Sequence, residues 1–218
     1  MQISFLRPAQ KDNSSGFTII ELLVATAVFS VLLLVITFGI LQISRVYYKG
    51  ITESNTQNAA RSIMDLMTQS IQFSGGDVMT TTSTPETPQA FCVGNEQFSY
   101  VAGMQLIESS ESRGDNQTYH SIVQTTTAGC ADPDPPAGLI NSPDVPGREL
   151  LAPNMRLANL NIDLIEPGLY RVEVRVIYGD DDLLTNPTGP DATCISETAG
   201  TQFCAVSELS TIVRKRVQ

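Results

Sequence analysis

Glu21 is the residue whose chemistry most needs explaining. It stands inside the apolar segment Phe17-Thr18-Ile19-Ile20-Glu21-Leu22-Leu23-Val24, which runs on through residues 22–41, twenty positions without a charge or a proline. At about 1.5 Å rise per residue, that run matches the ~30 Å hydrocarbon core of a bilayer. A carboxylate costs on the order of 2.5–3.5 kcal/mol at the centre of such a helix, and less toward its end. It needs a partner, and the sequence suggests only one nearby. Scission between Gly16 and Phe17 would create an α-amine on Phe17, and a neighbouring subunit's Glu21 could neutralise it within a low-dielectric helical core. A pair of this kind fixes register, because a slipped neighbour leaves both charges unpaired.

The segment Gly16-Phe17-Thr18-Ile19-Ile20-Glu21-Leu22-Leu23-Val24 resembles the class III signal of type IV prepilins and of type II secretion pseudopilins. The resemblance implies cleavage after Gly16 by a membrane aspartyl (prepilin) peptidase, N-methylation of the new Phe17 terminus, and use of Glu21 in assembly. Residues 1–16 suit a leader: Arg7 and Lys11 stand against Asp12, with no apolar run of the kind a Sec-type signal carries ahead of its cut. At sixteen residues it is longer than the short leaders of many type IVa pilins. Its positive excess implies a cytoplasmic N-terminus and an extracytoplasmic remainder. Cleavage there would leave residues 17–218, 202 in number.

The elements that must position this site read as one helix and one sheet domain. No proline occurs from Phe17 to Thr84, and a continuous helix over 17–74 is predicted, ~87 Å long, stopped by Gly75-Gly76. Residues 17–44 are apolar all round, as a membrane span and filament core require. Residues 45–74 are amphipathic, with Val46, Tyr47, Ile51, Ala59, Ala60, Ile63, Leu66, Met67 and Ile71 as the expected stripe. Residues 75–218 read as a β-rich extracytoplasmic domain, with strands expected over 97–107, 119–125, 155–165, 169–178 and 209–217. The clearest is Tyr170-Arg171-Val172-Glu173-Val174-Arg175-Val176, a strict alternation. Glu166-Pro167-Gly168 is expected to join it to the preceding strand as a hairpin. Residues 80–88, 132–146 and 180–202 read as loops. The fold class is α+β: a long N-terminal helix packed on a C-terminal antiparallel sheet, pilin-like in form.

The whole chain holds 13 Lys+Arg against 23 Asp+Glu; without Arg7, Lys11 and Asp12 these become 11 and 22, a formal net of −11. An acidic body of this kind argues against direct nucleic-acid binding and suits a domain repelled from anionic membrane surfaces. Cys92, Cys130, Cys194 and Cys204 lack C-x-x-C spacing and suit two disulfides in an exported protein better than a metal site. Three connectivities are open; sequence proximity favours Cys92 with Cys130 and Cys194 with Cys204.

No catalytic constellation is legible. G-x-S-x-G, P-loop, H-E-x-x-H and dinucleotide fingerprints are missing from the sequence, so no enzymatic activity and no cofactor are expected. His120 reads as a solvent-side strand residue. Asp180-Asp181-Asp182 lacks the alternate spacing of an EF-hand loop and reads as an acidic turn in water, with Ca²⁺ binding the sharper alternative. Arg214-Lys215-Arg216 reads as a solvated strand end or a patch for an acidic neighbour. Asn116-Gln117-Thr118 matches the N-glycosylation pattern, and the Thr/Ser runs at 80–84 and 125–127 are weaker O-glycosylation candidates.

Within the superfamily, Arg61-Ser62-Ile63-Met64-Asp65-Leu66-Met67 with Gln69-Ser70-Ile71-Gln72, and the strand around Leu209-Ser210-Thr211-Ile212-Val213-Arg214, resemble PilW-like minor pilins and the related J-type pseudopilins. That resemblance implies a minor pilin that helps initiate or cap a filament. Its partners would be the prepilin peptidase, other major and minor pilins, an inner-membrane assembly platform and the membrane. Its location would be the cytoplasmic membrane and, after assembly, the pilus at the cell surface. The alternatives are a pseudopilin of type II secretion or DNA uptake (competence), a tip adhesin presenting loops 132–146 and 180–202, and a membrane-tethered enzyme.

Overall fold

An unbroken backbone ladder organises the N-terminal third. In the computed structural model, which describes residues 16–81, 87–111, 113–130, 132–196 and 199–216, helix α1 spans Ile19–Phe73, 55 residues. The leader up to residue 15 and the Thr/Ser candidates at 82–84 lie outside the described residues. The chain divides into two compact units, 1–44 and 45–218, each with its own physics.

In the first unit the helix surface is bare: Leu22, Phe29, Leu34, Phe38 and Leu41 are all exposed, and none of the apolar window is buried. The three hydroxyls of the 22–41 run turn back onto the helix. Thr26 Oγ1 donates to the Leu23 carbonyl (3.0 Å), Ser30 Oγ to that of Thr26 (2.8 Å), and Thr37 Oγ1 to that of Leu33 (2.8 Å). No polar group on this surface needs water, which is the condition for residence in lipid.

In the second unit the remainder of α1 buries one stripe, Thr52, Thr56, Ala60, Ile63, Met64, Met67 and Ile71, recurring at three- and four-residue steps. The stripe is narrower than the sequence suggests: Val46, Tyr47 and Ile51 are exposed, because at 3.6 residues per turn they point well away from the face that carries Thr52, Thr56 and Ile63. Two threonines open the buried stripe instead, and Thr56 Oγ1 is satisfied by the Thr52 carbonyl at 2.8 Å.

The strands are β1 (Met79–Thr80), β2 (Gln89–Val93), β3 (Glu96–Tyr100), β4 (Gln105–Leu106), β5 (Gln117–Thr118), β6 (Ile122–Thr126), β7 (Arg148–Glu149), β8 (Met155–Glu166), β9 (Leu169–Tyr178), β10 (Leu184–Thr185), β11 (Thr193–Cys194) and β12 (Ala205–Arg214). They form one five-stranded sheet in the order β1-β2-β3-β6-β7, a second in the order β12-β9-β8-β4-β5, and a two-stranded ribbon β10-β11. Pairing is antiparallel except between β4 and β5. One core joins the helix stripe to Phe91, Phe98 and Ile122 of the first sheet and to Leu157, Val172, Val174, Val176 and Val213 of the second. The cross-strand partners Phe91 and Phe98 stack at 4.7 Å between ring centroids.

The β8–β9 hairpin turns at Pro167-Gly168, with Gly168 at φ +77°. Along β9 the alternation translates into burial residue by residue, with Tyr170, Val172, Val174 and Val176 inside. Several expectations need correcting: the strand expected over 119–125 starts only at Ile122, and the expected loop 180–202 carries the β10–β11 ribbon. The run 97–107 is not one strand: it breaks at Gly103 (φ +78°), where an added Cβ would lie 2.5–2.9 Å from the Thr188 backbone. That glycine carries the chain from the first sheet to the second. The last strand begins at Ala205, four residues earlier than expected, directly after Cys204. The expected single sheet is two, because β2, a five-residue run after Pro88, pairs with β3 and β1.

Truncation of the buried stripe tests this packing. Ile63→Ala is expected to destabilise the 45–218 unit by about 2–5 kcal/mol in urea denaturation, whereas Val46→Ala is expected to change it by no more than about 0.5 kcal/mol.

Candidate functional site

The peptide bond between Gly16 and Phe17 lies outside regular structure, just ahead of α1. Phe17 is 88% exposed, and among the described residues nothing approaches within 4 Å of a Cβ placed on Gly16. This geometry leaves the bond open to a peptidase.

Immediately beyond it, Thr18 and Glu21 close on each other. The Thr18 backbone N–H and the Thr18 hydroxyl both donate to Glu21 Oε2 at 2.9 Å. In return the Glu21 N–H donates to Thr18 Oγ1 at 3.3 Å. Thr18 is the N-cap and Glu21 the third helical residue, so this is a capping box. The carboxylate also sits at the positive end of the helix dipole. The expectation that Glu21 has no partner short of a new amine is therefore corrected: Thr18 is one already. The signal was in the sequence, since Thr-x-x-Glu ahead of an apolar run is the sequence signature of that box. Both bonds fall on Oε2, which leaves Oε1 open to a further donor.

Away from this site, the structure joins Cys92 to Cys130 and Cys194 to Cys204, with Cα–Cα separations of 5.4 and 5.8 Å. The first closes a sequence separation of 38 residues and the second one of 10; in the chain-entropy account these constrain the unfolded state by about 4 and 3 kcal/mol.

The acidic turn after Gly179 is not simply solvated. Asp180 Oδ1 accepts from Gln105 Nε2 (2.8 Å), and Asp181 Oδ2 from Asn116 Nδ2 (2.9 Å). Asp181 Oδ1 lies 2.6 Å from Arg156 Nη1. Arg156 is fully buried, and its guanidinium also donates to the carbonyls of Gly179 (3.0 Å) and Pro187 (3.2 Å). Asp180 and Asp181 thus already serve two amides and a guanidinium, although Asp180 is exposed like Asp182 and Asp181 is half-buried. Asn116, the glycosylation candidate, is held in the same network. Arg156 escaped sequence reading because it sits in an apolar strand start, while its partners come from loops distant in sequence.

His120 is not on a strand face. It lies between β5 and β6 with its side chain 15% exposed, its Nδ1 3.5 Å from Glu149 Oε2 and its Nε2 3.2 Å from the Pro143 carbonyl. The Glu149 carboxylate accepts backbone N–H bonds from Ser121, Ile122, Leu150 and Leu151. Burial nonetheless pushes its pKa above the ordinary value, against those bonds and the nearby imidazole. The basic cluster at 214–216 is likewise engaged. Lys215 Nζ meets Asp77 at 3.2 Å, the Arg216 N–H donates to the Gln72 carbonyl at 2.9 Å, and the Arg216 guanidinium lies 5.6 Å from the Phe73 ring centroid. Arg214 remains exposed.

Residues 11–37 match the family model for the prokaryotic N-terminal methylation motif. No curated protein and no solved structure matches the chain. The matched stretch contains Gly16, Phe17, Thr18 and Glu21, and the motif is that of type IV pilin-like proteins, processed by prepilin peptidase and associated with the membrane.

Two outcomes test the chemistry of the 45–218 unit. Arg156→Ala is expected to cost about 1–3 kcal/mol by urea denaturation, because the buried Gly179 carbonyl, the half-buried Pro187 carbonyl and Asp181 lose their donor. Glu149 binds its proton more tightly in the fold than in the unfolded chain. Its contribution to stability is therefore full below pH 4.5 and declines as pH rises through the raised folded pKa. Glu149→Gln is expected to flatten that decline in denaturation curves taken from pH 4 upward.

Proposed function

We propose that this chain is a minor pilin-like subunit that acts by assembly rather than by turnover, entering the initiating or tip complex of a type IV pilus. Its N-terminus lies in the cytoplasm, α1 crosses the inner membrane, and residues 45–218 face outward until the subunit leaves the bilayer for the filament. Its partners are the prepilin peptidase, other major and minor pilins, and a membrane platform that supplies the force.

The observation that carries the reading is the pairing of Thr18 with Glu21 at the head of a helix whose apolar surface is wholly uncovered. A bare helix of this kind must be covered by lipid or by other helices. The capping box lets the carboxylate wait in the membrane with its charge partly satisfied. After cleavage, the Phe17 amine of a neighbour offers Oε1 a charge-assisted bond, which is stronger than a neutral one. The carboxylate can then hold both donors, so the cap need not be dismantled for the intersubunit pair to form. The folded unit is consistent with export, because both cysteine pairs are oxidised.

Mass spectrometry of protein from native cells is expected to find an N-terminus at Phe17 carrying a methyl group. Glu21→Gln keeps shape and hydrogen bonding but removes the charge; it is expected to be cleaved normally and lost from sheared filaments. Incorporation at the wild-type level would overturn the role given to the carboxylate.

A further inference from the structure

The second unit carries an exposed cluster at the start of the helix segment beyond the apolar run. On α1, Tyr47 is 65% and Tyr48 50% exposed, flanked by Arg45 and Lys49. Phe203, 43% exposed, comes from the 3₁₀ turn Thr201–Phe203. Its ring lies 5.7 Å from that of Tyr48, which in turn meets Tyr47 edge-on at 6.0 Å. The turn is fixed from two sides: Lys49 Nζ donates to the Cys204 carbonyl at 2.8 Å, and the Cys194–Cys204 bond ties its end to β11. A cleft of about 650 Å³ opens beside it, lined by Arg45, Val46, Lys49 and residues 199–202.

Aromatic rings with one wet edge, set among cations, are what a bilayer's interfacial layer selects. The position agrees. If residues 22–41 fill the hydrocarbon, Arg45 and Lys49 lie ~6–12 Å further along the helix, at and just beyond the headgroup layer of ~5–7 Å per leaflet. The body is acidic overall, at a net −10, so an anionic surface would repel most of it and favour contact through Arg45 and Lys49. Lys49 gives one N–H to Cys204 and retains others for a ligand.

We infer that Arg45, Tyr47, Tyr48, Lys49 and Phe203 form a membrane-seated foot, in which the two cations bind the headgroup phosphates of anionic glycerophospholipids while the three rings settle among the headgroups. This rests on α1 spanning a bilayer. The foot gives the subunit a second hold on the membrane besides its helix, through a turn made rigid by a disulfide. Extraction into a filament must then release lipid from the folded unit as well as from the helix.

The chain has no tryptophan, so Phe203→Trp introduces a single reporter. The full chain carrying it is placed in phosphatidylcholine vesicles with or without phosphatidylglycerol, using lipids brominated near the headgroup end of the acyl chain. Protease protection of the span is measured in the same vesicles. The expected result is blue-shifted, quenched emission that strengthens with phosphatidylglycerol. Adding Arg45→Gln and Lys49→Gln is expected to lower the docking equilibrium constant about fivefold per cation removed; glutamine keeps a donor for Cys204. Tyr48→Trp gives the same readout should Phe203→Trp fail to form the Cys194–Cys204 bond. Unquenched emission with a protected span overturns the foot alone. Quenching that ignores both phosphatidylglycerol and the two cations overturns the headgroup site. An unprotected span overturns the foot together with the membrane reading beneath it.

Discussion

Helix α1 must satisfy two surroundings with one continuous backbone, and most of the structure results from that demand. Over residues 22–41 every side-chain hydroxyl is turned back onto a carbonyl, so the surface asks nothing of water. From Thr52 onward the same helix presents a stripe that requires cover, and two five-stranded sheets supply it jointly. Neither sheet alone provides the core: Phe91, Phe98 and Ile122 come from one, Val172, Val174 and Val213 from the other. The helix is therefore the shared wall of a single interior, and its register sets where both sheets sit.

The polar groups of the second unit follow a related rule, that a charge taken from water must find partners. Arg156 gathers Asp181 and the carbonyls of Gly179 and Pro187, which pins the 180–196 loop region against the start of β8. Glu149 gathers four backbone N–H groups and an imidazole, and so secures the crossing from β6 to β7. In both cases the buried ion organises irregular chain that has no ladder of its own. Long loops in this unit are held by electrostatics and disulfides where apolar cover runs short.

Much of this was legible because it is local. The proline-free apolar run, the Gly75-Gly76 stop, the Tyr170–Val176 alternation and the Pro167-Gly168 turn each depend on neighbours in sequence. The Thr18–Glu21 box is equally local, and its signature stood in plain view beside a more conspicuous one. What could not be read depends on contacts made only after folding. Nothing near Gly103 announces that Thr188 will press against it, so the strand pattern runs straight through the break. Arg156 and His120 occupy positions that alternation assigns to solvent, and only distant loops enclose them. Val46, Tyr47 and Ile51 recur at helical steps but lie off the face of Thr52 and Ile63, so three- and four-residue spacing alone overextended the buried stripe.

The junction between β12 and the end of α1 bears on the order of events during folding. The last carbonyls of a helix lack partners within it, and here Gln72 is served by the Arg216 N–H, while Lys215 reaches Asp77 and Val213 enters the core. The helix is made first and β12 nearly two hundred residues after α1 begins, so the earlier element waits, with an unfinished tip and an open interior, for the later one to arrive. Almost the entire polypeptide must therefore be present before the 45–218 unit can shut. A chain halted short of β12 would leave its greasy stripe uncovered, a ready target for proteolysis.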